Sequence, residues 1–221
     1  MIRAVLFDMD GTVFDSEKIY CAALAKVAKG SKMEEELADV LLAISGRNRA
    51  DIYAYLHARY GEDFPAEEIF AKRDAMMMKQ IDAEGVPFKQ GFPEVFETLK
   101  KQGLLVALVT STHRERMQKY LDMTGISNAF DYIKTGESVE HSKPAPDIFL
   151  RAAEGLGVDP QNCVGVEDSF NGIRGLYAAG MKPVMVPDIT QPTPEIQRML
   201  WAQCRTLTDL IPLLEQSPRY E

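Results

Sequence analysis

Residues 2–7 form a short apolar run, interrupted only by Arg3 and closed by turn-forming residues after Phe7. This pattern predicts a buried strand ending at Asp8. From residue 16 to about residue 85 the texture changes: glycine is scarce, and Ala, Leu, Met, Glu and Lys dominate. Ile52, Tyr55, Leu56 and Arg59 recur at helical spacing there, so the stretch reads as several helices without a strand. After Gly91 the alternation of short apolar runs and amphipathic segments resumes. Helices are expected over 93–102, around Met117, Tyr120, Leu121 and Thr124, over 146–157 and over 169–180. Strands are expected over 104–110, 130–134, 163–166 and 183–186.

Strands alternating with helices predict an α/β fold: a doubly wound parallel sheet, Rossmann-like, with helices on both faces. In such sheets ligands bind beyond the carboxyl ends of the strands, so functional residues should follow the strand runs directly. The helical stretch inserted after the first strand would overhang that edge as a cap. The expected organisation is a core made of residues 1–15 and 87–221, with an α-helical cap of residues 16–86. Met76-Met77-Met78 reads as core or as packing between the two parts, not as a cofactor box. Gly85, Pro87 and Gly91 suit a junction between them.

Composition narrows the class. With 46% hydrophobic residues in 221, the chain can bury a core. A net charge of −8 argues against a nucleic-acid partner. Cys21, Cys163 and Cys204 are too few and too scattered for a disulfide framework or a zinc site, and His57, His113 and His141 are equally dispersed. No stretch approaches the ~20 apolar residues that span a bilayer. A cytoplasmic protein without membrane association, monomeric by preference, is therefore expected.

Four short segments carry chemistry. The first strand ends in Asp8-Met9-Asp10-Gly11-Thr12. One carboxylate there can attack phosphorus, a second can move protons, and Gly11 permits a tight turn beside a bound anion. The second strand ends in Thr110-Ser111-Thr112, whose hydroxyls and backbone N–H groups suit a phosphate or simply cap a helix. Lys143, followed by Pro144 and Pro146, offers a compact positive charge. Glu167 and Asp168 close the third strong strand. Asp8, Asp10, Glu167 and Asp168 would thus meet at one sheet edge, and four carboxylates do not stay ionised together without a cation. Oxygen ligands beside a phosphate favour Mg²⁺.

Asp8-Met9-Asp10-Gly11-Thr12, Thr110, Lys143-Pro144 and Glu167-Asp168, in this order, resemble the four motifs of the haloacid dehalogenase superfamily over nearly the whole chain. Segments 142–149 and 164–173 are similar to its phosphatase and β-phosphoglucomutase-like members with a helical cap. The resemblance implies Asp8 as nucleophile and Asp10 as general acid/base. It implies phosphate contacts from Thr110 and Lys143, and Ser111 beside Thr110 at the strand end is a further phosphate-binding candidate. It implies Mg²⁺ held by Asp8, by Asp10 through its backbone carbonyl, and by Asp168, with Glu167 as a further or outer ligand. Gly46 and Arg49, and by a looser match Lys72, correspond to cap positions that contact substrate.

Two departures bear on the reaction. The β-phosphoglucomutases carry a histidine where Tyr20 stands and a threonine where Ser16 stands, and those residues tie cap position to acid/base readiness. Dehalogenases of the superfamily usually lack the second aspartate, so Asp10 argues against carbon–halogen cleavage. The leading expectation is a phosphatase of small phosphorylated metabolites, sugar phosphates above all. The alternative is a β-phosphoglucomutase-like phosphomutase. A silent binding module would have no use for the clustered carboxylates.

Overall fold

The fold was described from a computed structural model covering residues 1–188 and 190–216. Six strands form one parallel sheet in the order β3-β2-β1-β4-β5-β6. They are β1 (Ala4–Phe7), β2 (Leu105–Thr110), β3 (Tyr132–Thr135), β4 (Cys163–Glu167), β5 (Lys182–Met185) and β6 (Ala202–Gln203). The chain reverses direction across the sheet at β1, whose neighbours are β2 and β4. Side chains alternate between faces along a strand, and the packing follows that rule. Val5 and Phe7 join Val106, Leu108, Val164 and Val166 in one apolar cluster. Ala4 and Leu6 join Ala107, Val109 and Cys163 in the other. Both faces are dry, which is why these strands read as unbroken apolar runs.

Helices cover both faces. On the first lie α5 (Phe92–Lys101), α6 (Arg114–Thr124) and α10 (Leu210–Glu215). On the second lie α7 (Asp147–Leu156), α8 (Phe170–Ala178) and the short α9 (Pro194–Gln197). The sheet is thus doubly wound, as the alternation of elements predicts. The sequence pattern did not reveal β6, α9 or α10. β6 has two residues, one of them exposed, and leaves no periodic trace.

Between β1 and α5 the chain forms α1 (Glu17–Ala28), α2 (Leu37–Ile44), α3 (Arg49–Tyr60) and α4 (Ala66–Glu84). These helices enclose an apolar cluster of their own, including Leu24, Met33, Val40, Leu56 and Phe70. Met77 and Ile81 of α4 belong instead to the cluster on the sheet, and Met78 packs against it while Met76 is exposed. The two connections to the helical segment run side by side. Asp15 N donates to Pro87 O at 2.9 Å, Lys89 N donates to Val13 O at 2.8 Å, and the Phe14 and Phe88 rings stack at 5.5 Å. Among the described residues, no helix is long and apolar enough to cross a membrane.

Candidate active site

Parallel register brings the strand ends level. Phe7 sits beside Leu108 and Val166, and Asp8 N donates to Val166 O at 3.0 Å. Asp8, Thr110 and Glu167–Asp168 therefore emerge at one edge of the sheet. Carboxylate oxygens of Asp8, Glu167 and Asp168 lie within 4.8 Å of one another, and all three residues are buried. Lys143, on the loop after β3, reaches between them from a fully buried position. Its Nζ donates to Asp8 Oδ1 at 2.5 Å, Glu167 Oε1 at 2.6 Å and Val109 O at 3.3 Å. The peptide bond from Lys143 to Pro144 is cis.

Glu167 is held on both oxygens. Opposite Lys143, its Oε2 accepts from Ser169 N at 3.1 Å and Ser169 Oγ at 2.8 Å. Ser169 also caps α8, accepting from Gly172 N at 3.0 Å. A Cβ at position 172 would land on the Glu167 carboxylate, so glycine is required there by space. Asp10 faces elsewhere. Its Oδ1 accepts from Ser16 Oγ at 2.6 Å and its Oδ2 from Thr112 Oγ1 at 2.7 Å. The Asp10 carboxylate is thus outside the close trio.

The charge balance is strained. Burial pushes the Asp8 carboxyl well above its ordinary range; Lys143 opposes this, while Glu167 and Asp10 add to it. Asp168 is raised by burial too, with Glu17, Glu167 and Asp8 adding to the effect. Burial, together with Asp10 and Asp188, pushes the half-buried Glu17 up to about 7. Burial works against the Lys143 ammonium, yet Asp8 and Glu167 outweigh it and hold the lysine charged. One ammonium does not balance this many carboxylates. A dense, oxygen-only donor set that favours protonation in the absence of a cation suits a hard divalent ion, and Mg²⁺ fits it.

Above the strand ends lies a cavity of about 390 Å³. Asp8, Asp10, Asp168, Thr110, Ser111 and Thr112 form its floor, and the helical segment contributes Leu41, Ile44, Gly46, Arg47, Arg49 and Arg73. Gly46 has φ +75°, and Ser111 Oγ donates to its carbonyl at 2.8 Å, tying the helical segment to the floor. Thr110 Oγ1 accepts from Thr112 N at 3.0 Å. Arg49 Nη2 donates to Asp74 Oδ2 at 2.5 Å, and its guanidinium lies over the Phe70 ring. Lys72 does not line the cavity: it is paired with Glu68 at 2.6 Å on the exposed face of α4.

The next residue, Arg73, takes the place expected of Lys72. It is 1% exposed, its guanidinium lies 4.0 Å from the Tyr20 ring centre, and its Nε and Nη1 have no hydrogen-bond partner. The sequence held a signal for it. Ala66, Ile69, Phe70, Met77 and Ile81 mark the buried face of α4, and position 73 falls on that face. Glu17, Asp74 and Arg116 also belong to this neighbourhood and were not singled out from sequence.

Residues 5–186 match the family model described as Haloacid dehalogenase-like hydrolase. The chain belongs to this family and is an enzyme of the phosphatase type. Similar proteins include hexitol phosphatase B of Escherichia coli, 33% identical over 191 residues, with 84% of each chain covered. Another is the phosphorylated carbohydrates phosphatase of Thermotoga maritima, 30% identical over 185 residues, covering 83% of this chain and 84% of that one. Among solved structures, CbbY from Rhodobacter sphaeroides in complex with phosphate shares the fold. Its TM-score is 0.77 at 22% identity, with 95% of this chain and 96% of that one covered.

Proposed function

We propose that this chain is a Mg²⁺-dependent phosphatase of small phosphorylated metabolites, sugar or sugar-alcohol phosphates above all, working through a phospho-aspartate on Asp8. The observation that carries the proposal is the meeting of Asp8 and Asp168 on the floor of a cavity beneath the helical segment, with the buried Lys143 paired to Asp8 from behind. Relatives named as hexitol and carbohydrate phosphatases support the substrate class.

In this reading residues 16–86 are the cap, and the paired connections at residues 13–15 and 87–89 are its hinge. Thr110, Ser111 and Lys143 receive the phosphoryl group. An Asp8 oxygen forms a bond to phosphorus as the bond to the substrate oxygen breaks. Asp10 gives that leaving oxygen its proton. Asp10 then takes a proton from water as the water oxygen bonds to phosphorus, the acyl–phosphate bond breaks, and Asp8 is restored with release of inorganic phosphate. Lys143 opposes the protonation that burial favours at the free Asp8 carboxyl and orients it for attack. Mg²⁺, held by Asp8, Asp168 and the Asp10 carbonyl with Glu167 behind them, would offset the charge that builds on the transferring phosphoryl group.

Tyr20 favours water as the second acceptor. Burial pushes its phenol up to about 12, so it carries none of the proton traffic open to an imidazole at this position. The test is a panel of monophosphates, including hexitol 6-phosphates, hexose phosphates and phosphoglycolate, each with Mg²⁺ and again with chelator. Phosphate release from the polyol or sugar phosphates, lost with chelator, is expected. Phosphorus NMR on β-glucose 1-phosphate with a bisphosphate primer decides the alternative. Dominant conversion to glucose 6-phosphate with little phosphate released would replace the phosphatase reading by a phosphomutase.

A further inference from the structure

Asp74 of α4 sits where the helical segment meets the core. Its Oδ2 takes Arg49, and its Oδ1 is shared by Arg73 Nη2 at 3.0 Å and Arg116 Nη1 at 3.3 Å. Arg49 and Arg73 belong to the helical segment, whereas Arg116 stands on core helix α6. The Asp74–Arg116 pair therefore joins the two parts. Arg116 has a second contact: its Nη2 donates to Thr112 Oγ1 at 3.3 Å. Thr112 Oγ1 in turn donates to Asp10 Oδ2 at 2.7 Å.

A hydroxyl has one proton to give and lone pairs to accept with. Thr112 accepts from Arg116, so its proton points to Asp10, and the chain Asp74–Arg116–Thr112–Asp10 has one direction. The 2.7 Å bond is short and the two Arg116 contacts are long. Arg116 is held by two weak partners, one on each side of the junction, so its place depends on Asp74 staying where it is. Were α4 to move away from the core, Arg116 would lose its outer partner, and its long contact to Thr112 alone would hold the guanidinium.

We infer that Arg116 is a positioning residue that couples the seating of the helical segment to the aim of Asp10, acting through Thr112. The inference rests on the reading of Asp10 as general acid/base. It adds a direct route from α4 to that carboxylate, separate from Ser16 at the hinge.

The readout uses two leaving groups. A sugar alkoxide needs a proton from Asp10 to depart, whereas p-nitrophenolate does not. Single-turnover phosphorylation of the full chain with Mg²⁺ is followed with a hexitol 6-phosphate and with p-nitrophenyl phosphate. Arg116→Gln is expected to slow the hexitol phosphate reaction about 10-fold to 100-fold, the range set by misplacing a catalytic group. The nitrophenolate burst should keep its wild-type rate. Thr112→Val should slow the hexitol phosphate reaction to a similar extent, Thr112→Ser should restore that rate, and adding Arg116→Gln to Thr112→Val should cost nothing more. Equal slowing of both substrates, or full additivity in the double variant, would overturn the coupling. Asp10→Asn separates the two levels. If it fails to show the leaving-group-selective loss, the acid/base reading falls and the coupling falls with it.

Discussion

Replacing Lys143 by methionine isolates the charge that holds the site together. The side chain keeps its length and loses its ammonium, leaving Asp8 and Glu167 buried without the donor that sits 2.5 Å and 2.6 Å from them. Deleting one partner of a buried ion pair costs about 3–5 kcal/mol. Asp8 can relieve part of this by taking up a proton, which burial already encourages there. The sign follows from proton counting. Carboxyl groups whose pKa is higher in the folded state bind more protons there than in the unfolded chain, so stability falls as pH rises through that window. The loss in Lys143→Met is therefore largest at pH 8 and smallest at pH 5. For a chain of this size each kcal/mol moves Tm by about 2–4 °C, giving a drop on the order of 10 °C at pH 8. Circular dichroism melts at both pH values, with chelator present, measure it, and added Mg²⁺ should recover part of the loss. A Tm near the wild-type value at pH 8, or an equal drop at both pH values, would refute the reasoning.

Other expectations follow from the same geometry. Activity disappears with chelator and returns with Mg²⁺, and Asp168→Ala raises the Mg²⁺ midpoint by more than the roughly 10–100-fold of an outer-shell change, as a metal titration of turnover would show. The metal-free protein loses stability between pH 5 and pH 8, because Glu17 is pushed up to about 7 and holds its proton in the folded state there. Melts across that range should show a falling Tm that Glu17→Gln flattens. Gly46→Ala forces a side chain into a left-handed backbone conformation, with its Cβ 2.7 Å from Ser169 Oγ. The strain of about 1–2 kcal/mol predicts a Tm lower by about 2–8 °C, and combining it with Ser169→Ala removes only the part due to the clash.

Much of this site was legible because strand ends leave a strong mark. Apolar runs buried on both faces stop abruptly at Asp8, Thr110 and Glu167, and parallel pairing alone brings those stops together. Lys143 was readable as a charge, but nothing in the sequence shows that it would bind the carboxylates directly. The cap was harder, because there a helical face decides function. Lys72 and Arg73 are adjacent, yet one residue turns a helix by about 100°, which sends the lysine to solvent and the arginine onto Tyr20. The buried spacing along α4 contained that answer. Arg116 and Asp74 meet across 42 positions of sequence, and no local pattern joins them. The last strand and two helices passed unseen because each is too short to repeat a period.

Phosphoryl transfer through Asp8 leaves a covalent intermediate that can be trapped. The direct measurement is rapid acid quenching during turnover of a hexitol 6-phosphate with Mg²⁺, followed by peptide mass spectrometry. The account predicts a transient phosphoryl group on the peptide containing Asp8, formed before phosphate is released and missing in Asp8→Asn. Product release in a single turnover without any such species, or a phosphoryl group on another residue, would contradict it.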